Sequence, residues 1–121
     1  MLVPALGPVV AVQAGAGLGD TVHLVLTHES GAASTVTVSL TVARMSAGVE
    51  FFVHGDAGRL VLLPEEGTAQ EAFALAVVEL QAAALTGGTH PCDVGFGRDV
   101  VRVLETAARA LASGRRETVR A

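Results

Sequence analysis

The chain has 121 residues, 50% of them hydrophobic but only 3% aromatic, so its core must be built from Val, Leu and Ala, and a chain of this length buries one without disulfides or metal. Twelve acidic against eight basic residues, every base an Arg, leave a net charge of -4 with no cationic cluster, which argues against a nucleic-acid footprint. The single cysteine, Cys92, excludes an internal disulfide framework and fits a reducing cytoplasm.

Met1 to Ala14 is apolar, and Val12-Gln13-Ala14 resembles a small-residue cleavage site. No basic residue precedes that run, and Pro4, Gly7 and Pro8 interrupt it, so it is not read as a secretory leader. No other run approaches the ~20 uncharged residues needed to span a bilayer. The expectation is a cytoplasmic protein of one domain, residues 1–121, with neither membrane nor nucleic acid as partner.

Pro8 to Ala14 predicts a short Val-rich strand. Asp20 to Glu29 alternates, with Val22, Leu24 and Leu26 on one face and Thr21, His23, Val25 and Thr27 on the other. After the Ser30-Gly31 turn, Ala33 to Ala43 alternates again: Val36, Val38, Leu40 and Val42 against Thr35, Thr37, Ser39 and Thr41. Gly48 to His54 and Arg59 to Leu63 predict two further strands around a tight Gly55-Asp56-Ala57-Gly58 turn. At Thr68 the period changes. Thr68 and Glu71 form a capping-box pattern below Pro64 and Gly67, Phe73, Ala76, Val77, Leu80 and Ala84 recur at helical spacing, and Gly87-Gly88 closes the helix. Asp93 caps a second predicted helix with a core stripe of Phe96, Val100, Val103, Leu104, Ala107 and Leu111; Glu105 and Arg109 fall on its wet side, one turn apart. Gly114 ends it, and Glu117 to Arg120 returns as a strand. Strands followed by helices predict an α+β fold: an open, mainly antiparallel β-sheet with two helices packed on one face.

That layout leaves the other sheet face to be explained. Thr21, His23, Val25, Thr35, Thr37, Ser39 and Thr41, with Phe51 and Val53 as further candidates, form a face with β-branched and hydroxyl side chains and no charge. Depletion of charge is the compositional mark of an interface core, so this face is the predicted surface for homodimer or homo-oligomer formation, the alternative being a Thr-rich sheet face exposed to solvent.

Chemistry is sparse. His23 and His28 lie five apart in one strand and point to opposite faces, so they cannot chelate one metal together. His54 ends a strand. His90, Cys92 and Asp93 have ligand-type side chains, but no second cluster completes a four-ligand site, and Asp93 next to Cys92 disfavours a reactive thiolate. Gly15-Ala16-Gly17-Leu18-Gly19 lacks the G-x-G-x-x-G spacing and leads into a strand rather than a helix; Gly95-Phe96-Gly97 also fails. Glu65-Glu66 reads as a solvated turn. No catalytic, cofactor-binding or metal residue is assigned.

Four stretches in order carry a resemblance. They are Leu6-Gly-Pro-Val-Val-Ala-Val-Gln13, Gly19 to Gly31 followed by Ser34-Thr-Val-Thr-Val38, Phe51 to Leu63, and His90 to Glu105. Together they resemble the C-terminal domain of the Gfo/Idh/MocA oxidoreductases, the glucose–fructose oxidoreductase and inositol dehydrogenase family. The resemblance implies an open sheet that shapes a sugar or polyol pocket and forms a dimer face, joined in relatives to a Rossmann domain that binds NAD or NADP. That cofactor domain and the family's Glu-Lys-Pro segment and Asp-x-x-x-His pair have no counterpart here, and the chain contains no lysine. It is therefore expected to bind no cofactor alone, to associate through its sheet, and to contribute to a substrate pocket only with a Rossmann-domain protein in trans. The alternative is a stand-alone binding or scaffolding module that kept the dimer face and lost the chemistry.

Overall fold

A computed structural model describes residues 6–43, 48–62, 68–90 and 92–120. The Glu65-Glu66 turn, Pro64, Gly67 and the start of the N-terminal apolar run lie outside the described residues. The described elements run β1 (Val9–Ala16), β2 (Val22–His28), β3 (Ala33–Val38), β4 (Phe51–Gly55), β5 (Gly58–Leu62), α1 (Ala69–Thr86), α2 (Val94–Ser113) and β6 (Glu117–Thr118). This is the expected α+β class with open antiparallel sheets. The chain divides into two compact units, one of residues 1–42 and 92–121, the other of residues 43–91.

The first unit is a four-stranded antiparallel sheet of order β3-β2-β1-β6 with α2 on one face. β1 carries a bulge between Val9 and Ala11, which lets both Val9 and Val12 face the core although they are three apart. Val9, Val12 and Leu26 are buried there, and Leu24, Val36, Val103, Ala107 and Val119 pack around them. Each fully buried aliphatic side chain contributes about 1.5–3 kcal/mol. β6 completes the sheet by pairing Thr118 with Ala11 and Glu117 with Val12, and the Val119 N–H donates to the Val10 carbonyl at 3.0 Å.

Two features of α2 follow the sequence and two do not. The Asp93 side chain accepts from the Phe96 N–H at 2.9 Å, and Gly114 closes the helix in the left-handed conformation at φ 65°. The core-facing stripe, however, is rotated. Thr106 and Ala110 are buried and Val103 and Ala107 pack on the core, whereas Val100, Leu104 and Leu111 are exposed. Small side chains let the helix backbone approach the sheet, and bulky ones are displaced from the line of contact. Arg109 also departs from expectation. It donates to Thr106 Oγ1 at 2.9 Å instead of reaching Glu105, and its Nε is buried without a hydrogen-bond partner.

The second unit holds the hairpin β4–β5 and α1. The hairpin pairs Phe51 with Leu62 through Gly55 with Gly58, as the turn sequence requires, but it is a two-stranded sheet of its own. The meander therefore does not continue from β3 into β4. α1 begins on the predicted capping box: Thr68 Oγ1 accepts from the Glu71 N–H at 3.2 Å, and the Glu71 carboxylate accepts from the Thr68 N–H at 2.7 Å. The Thr68 backbone N–H first, then the Thr68 hydroxyl, donate to the Glu71 carboxylate and hold it below its usual range. Gly87 ends the helix.

Candidate functional site on the uncharged sheet face

The pairing registers define the face opposite α2. Across three strands, Ala11 lies beside Thr27 and Ala33, Gln13 beside Val25 and Thr35, and Gly15 beside His23 and Thr37. These nine positions alternate with Val12, Leu24, Leu26 and Val36, which turn to the core, so strand geometry alone places them together. All are exposed except Ala11, which is buried, and Thr27, which is half-buried. His23 is their sole titratable side chain. Its Nδ1 lies 3.0 Å from Thr37 Oγ1. The ring sits against Gly17, where a Cβ would come within 2.9 Å of Nε2 and 3.0 Å of Thr21 Cβ. Gly17 is thus a close-packing glycine rather than part of a phosphate cradle. At the other end of the face, Arg116 Nη2 donates to Thr27 Oγ1 at 3.3 Å.

Five of the seven predicted face residues, Thr21, His23, Val25, Thr35 and Thr37, lie on or next to this surface. Ser39 and Thr41 do not, because β3 ends at Val38 rather than running on to Ala43. Asp20 is the cause. Its carboxylate accepts from Ser39 Oγ and Thr41 Oγ1, both at 2.6 Å, and from the Leu40 N–H at 2.7 Å. The Ser39 hydroxyl first, then the Thr41 hydroxyl and the Leu40 N–H, lower the Asp20 carboxyl from 3.8 to about 2. Phe51 and Val53 belong to the separate hairpin sheet, paired with Leu62 and Leu60. Gln13 and Gly15 join the face without having been predicted: the period-two alternation of β2, carried one strand over, would have found them.

The other histidines have distinct places. His28 is buried on the core side, 1% exposed, rather than at a surface or interface. Its Nδ1 donates to the Gly7 carbonyl at 2.7 Å, which can only accept, and its Nε2 lies 2.9 Å from Ser34 Oγ. It therefore ties the entry to β1 to the start of β3. His54 is exposed and stacks edge-on against Phe52, over whose ring Arg59 lies at 4.8 Å. His90 Nε2 lies 2.9 Å from Glu79 Oε2. Among the described residues, no three of His, Cys, Asp or Glu come together as metal ligands, and no helix is long and apolar enough to cross a membrane.

Known proteins add one observation. The chain is similar to part of a solved oxidoreductase. That protein, from Agrobacterium radiobacter, was determined in complex with NAD+, L-tartaric acid and magnesium, and the likeness has a TM-score of 0.73 at 19% sequence identity. It covers 98% of this chain and 45% of that one, so this chain spans less than half of its structural neighbour. At that identity the likeness shows a shared fold. No family profile and no curated protein matches the sequence.

Proposed function

We propose that this chain is the C-terminal domain of a Gfo/Idh/MocA-like NAD(P)-dependent oxidoreductase. It associates through its uncharged sheet face and forms part of a sugar or polyol pocket when a Rossmann domain is supplied in trans. The observation that carries the reading is the superposition of nearly the whole chain on less than half of an oxidoreductase. The face itself supports association, since eight of its nine positions carry no titratable group. The sequence has no G-x-G-x-x-G strand–helix unit and no lysine, so hydride transfer is assigned to the assembled protein and not to this chain alone.

The test is reconstitution. The chain alone should neither bind NAD+ in calorimetry nor reduce it with polyols. Mixed with a protein encoded beside it that carries a G-x-G-x-x-G strand–helix unit, it should bind that protein and raise its NAD(P)+ reduction. Turnover by the isolated chain would refute the proposal. Binding to copies of itself with no effect on a Rossmann-domain protein would instead identify a scaffolding module.

A further inference from the structure

We infer that the outer edge of β3 pairs with β3 of a second copy, antiparallel across a two-fold axis, so that two four-stranded sheets become one. This backbone contact is separate from the association through the sheet face proposed above.

The ladder decides which groups are on offer. β3 is an end strand of its sheet, and among the described residues it pairs with β2. At the turn between them the His28 N–H donates to the Ala32 carbonyl at 2.9 Å. Opposed residues in antiparallel strands alternate between bonded and non-bonded pairs. With Thr27 opposite Ala33 and Leu26 opposite Ser34, the bonded pairs fall on Ser34, Val36 and Val38. Ala33, Thr35 and Thr37 therefore turn their N–H and C=O groups away from β2, and all three residues are exposed.

Open edges are ordinarily blocked by charge, proline, a bulge or brevity. β3 has none of these. Its sequence, Ala33-Ser-Thr-Val-Thr-Val38, is uncharged and rich in β-branched residues, and its register with β2 runs without a shift. The opposite edge is guarded, since β6 has two residues and one of them is Glu117.

A second copy is favoured because the strand is its own complement. Setting Thr35 opposite Thr35 of the other copy puts Ala33 opposite Thr37 on either side. In that one register every outward N–H and C=O of these residues gains a partner. It also sets threonine against threonine, a favourable cross-strand pair, and opposes no like charges. The two-fold consumes the open edge of both copies, so the pairing closes as a dimer and does not propagate.

The experiment is sedimentation equilibrium of the full chain from about 10 to 300 µM, with far-UV circular dichroism on the same samples to follow the fold. Wild type should form a dimer. Thr35→Pro removes an N–H that β2 does not use, so it should keep the dichroism and weaken the dimer at least about tenfold. Val25→Lys puts a charge in the middle of the face and leaves the edge alone, so its dimer should match wild type within about twofold. Hydrogen exchange by mass spectrometry gives an independent reading: segment 33–38 of wild type should exchange at least about tenfold more slowly at the highest concentration than at the lowest. A monomer throughout the range, a Thr35→Pro dimer as tight as wild type, or exchange of segment 33–38 that ignores concentration overturns the edge pairing. A dimer that Val25→Lys dissolves and Thr35→Pro spares also overturns it, and leaves the face association standing.

Discussion

Asp20 gathers two hydroxyls and one backbone amide onto a single carboxylate, and in doing so sets where β3 stops. A carboxyl whose folded value is depressed stabilises the fold fully above its unfolded value, and that contribution drains away as pH falls through the folded value. For Asp20 the window runs from 3.8 down to about 2. Asp20→Asn should therefore lose stability relative to wild type at neutral pH, with the gap closing below about pH 2. Amide exchange at Leu40 should be about tenfold faster in the variant, and an unchanged rate would mean that the carboxylate does not anchor the 39–41 segment. His28 is the second residue with a disproportionate role. His28→Ala leaves the Gly7 carbonyl and Ser34 hydroxyl without their partner and opens a cavity, a loss of about 2–4 kcal/mol that urea unfolding would resolve.

At the scale of elements, α2 shows that bulk does not identify the packed side of a helix. Ala110 is fully buried and Leu104 is 60% exposed. Ala110→Leu should cost about 1–3 kcal/mol by overpacking, whereas Leu104→Ser should change stability by less than about 0.5 kcal/mol. The reverse order in denaturation midpoints would restore the Leu stripe as the packed side. The helix ends were legible in the sequence because a cap is a local device: Thr68, Glu71, Asp93 and Gly114 act on backbone groups within a turn of themselves. The β2–β3 face was legible for the same reason, since alternation is a property of neighbours. The end of β3 was not, because Asp20 acts on residues some twenty positions away. Nor was the burial of His28, whose partners Gly7 and Ser34 come from two separate stretches of chain.

Across the whole molecule, burial is uneven. Val9, Ala11, Val12, Leu26, His28, Thr106 and Ala110 all belong to the first unit, and no described side chain of the second is fully buried. Backbone groups open locally with free energies that follow buried contacts. Amides of β1 and β2 should exchange only on global unfolding, and those of α1 and the β4–β5 hairpin at least about 100-fold faster. Equal protection in both units, measured by hydrogen exchange, would show that the second unit is held as firmly as the first.

The two-residue β6 governs how the chain tolerates trimming by a protease. Glu117 and Thr118 occupy the hydrogen-bonding groups along the middle of β1, and Val119 rests against Val9, Val12 and Leu26. A carboxypeptidase that nibbles past Glu117 would turn an interior strand into a bare one, with unsatisfied amides and carbonyls beside a wetted core. Shortened molecules should then stick to one another strand to strand, and a digest followed by light scattering should turn cloudy as the last residues disappear while untreated protein stays clear.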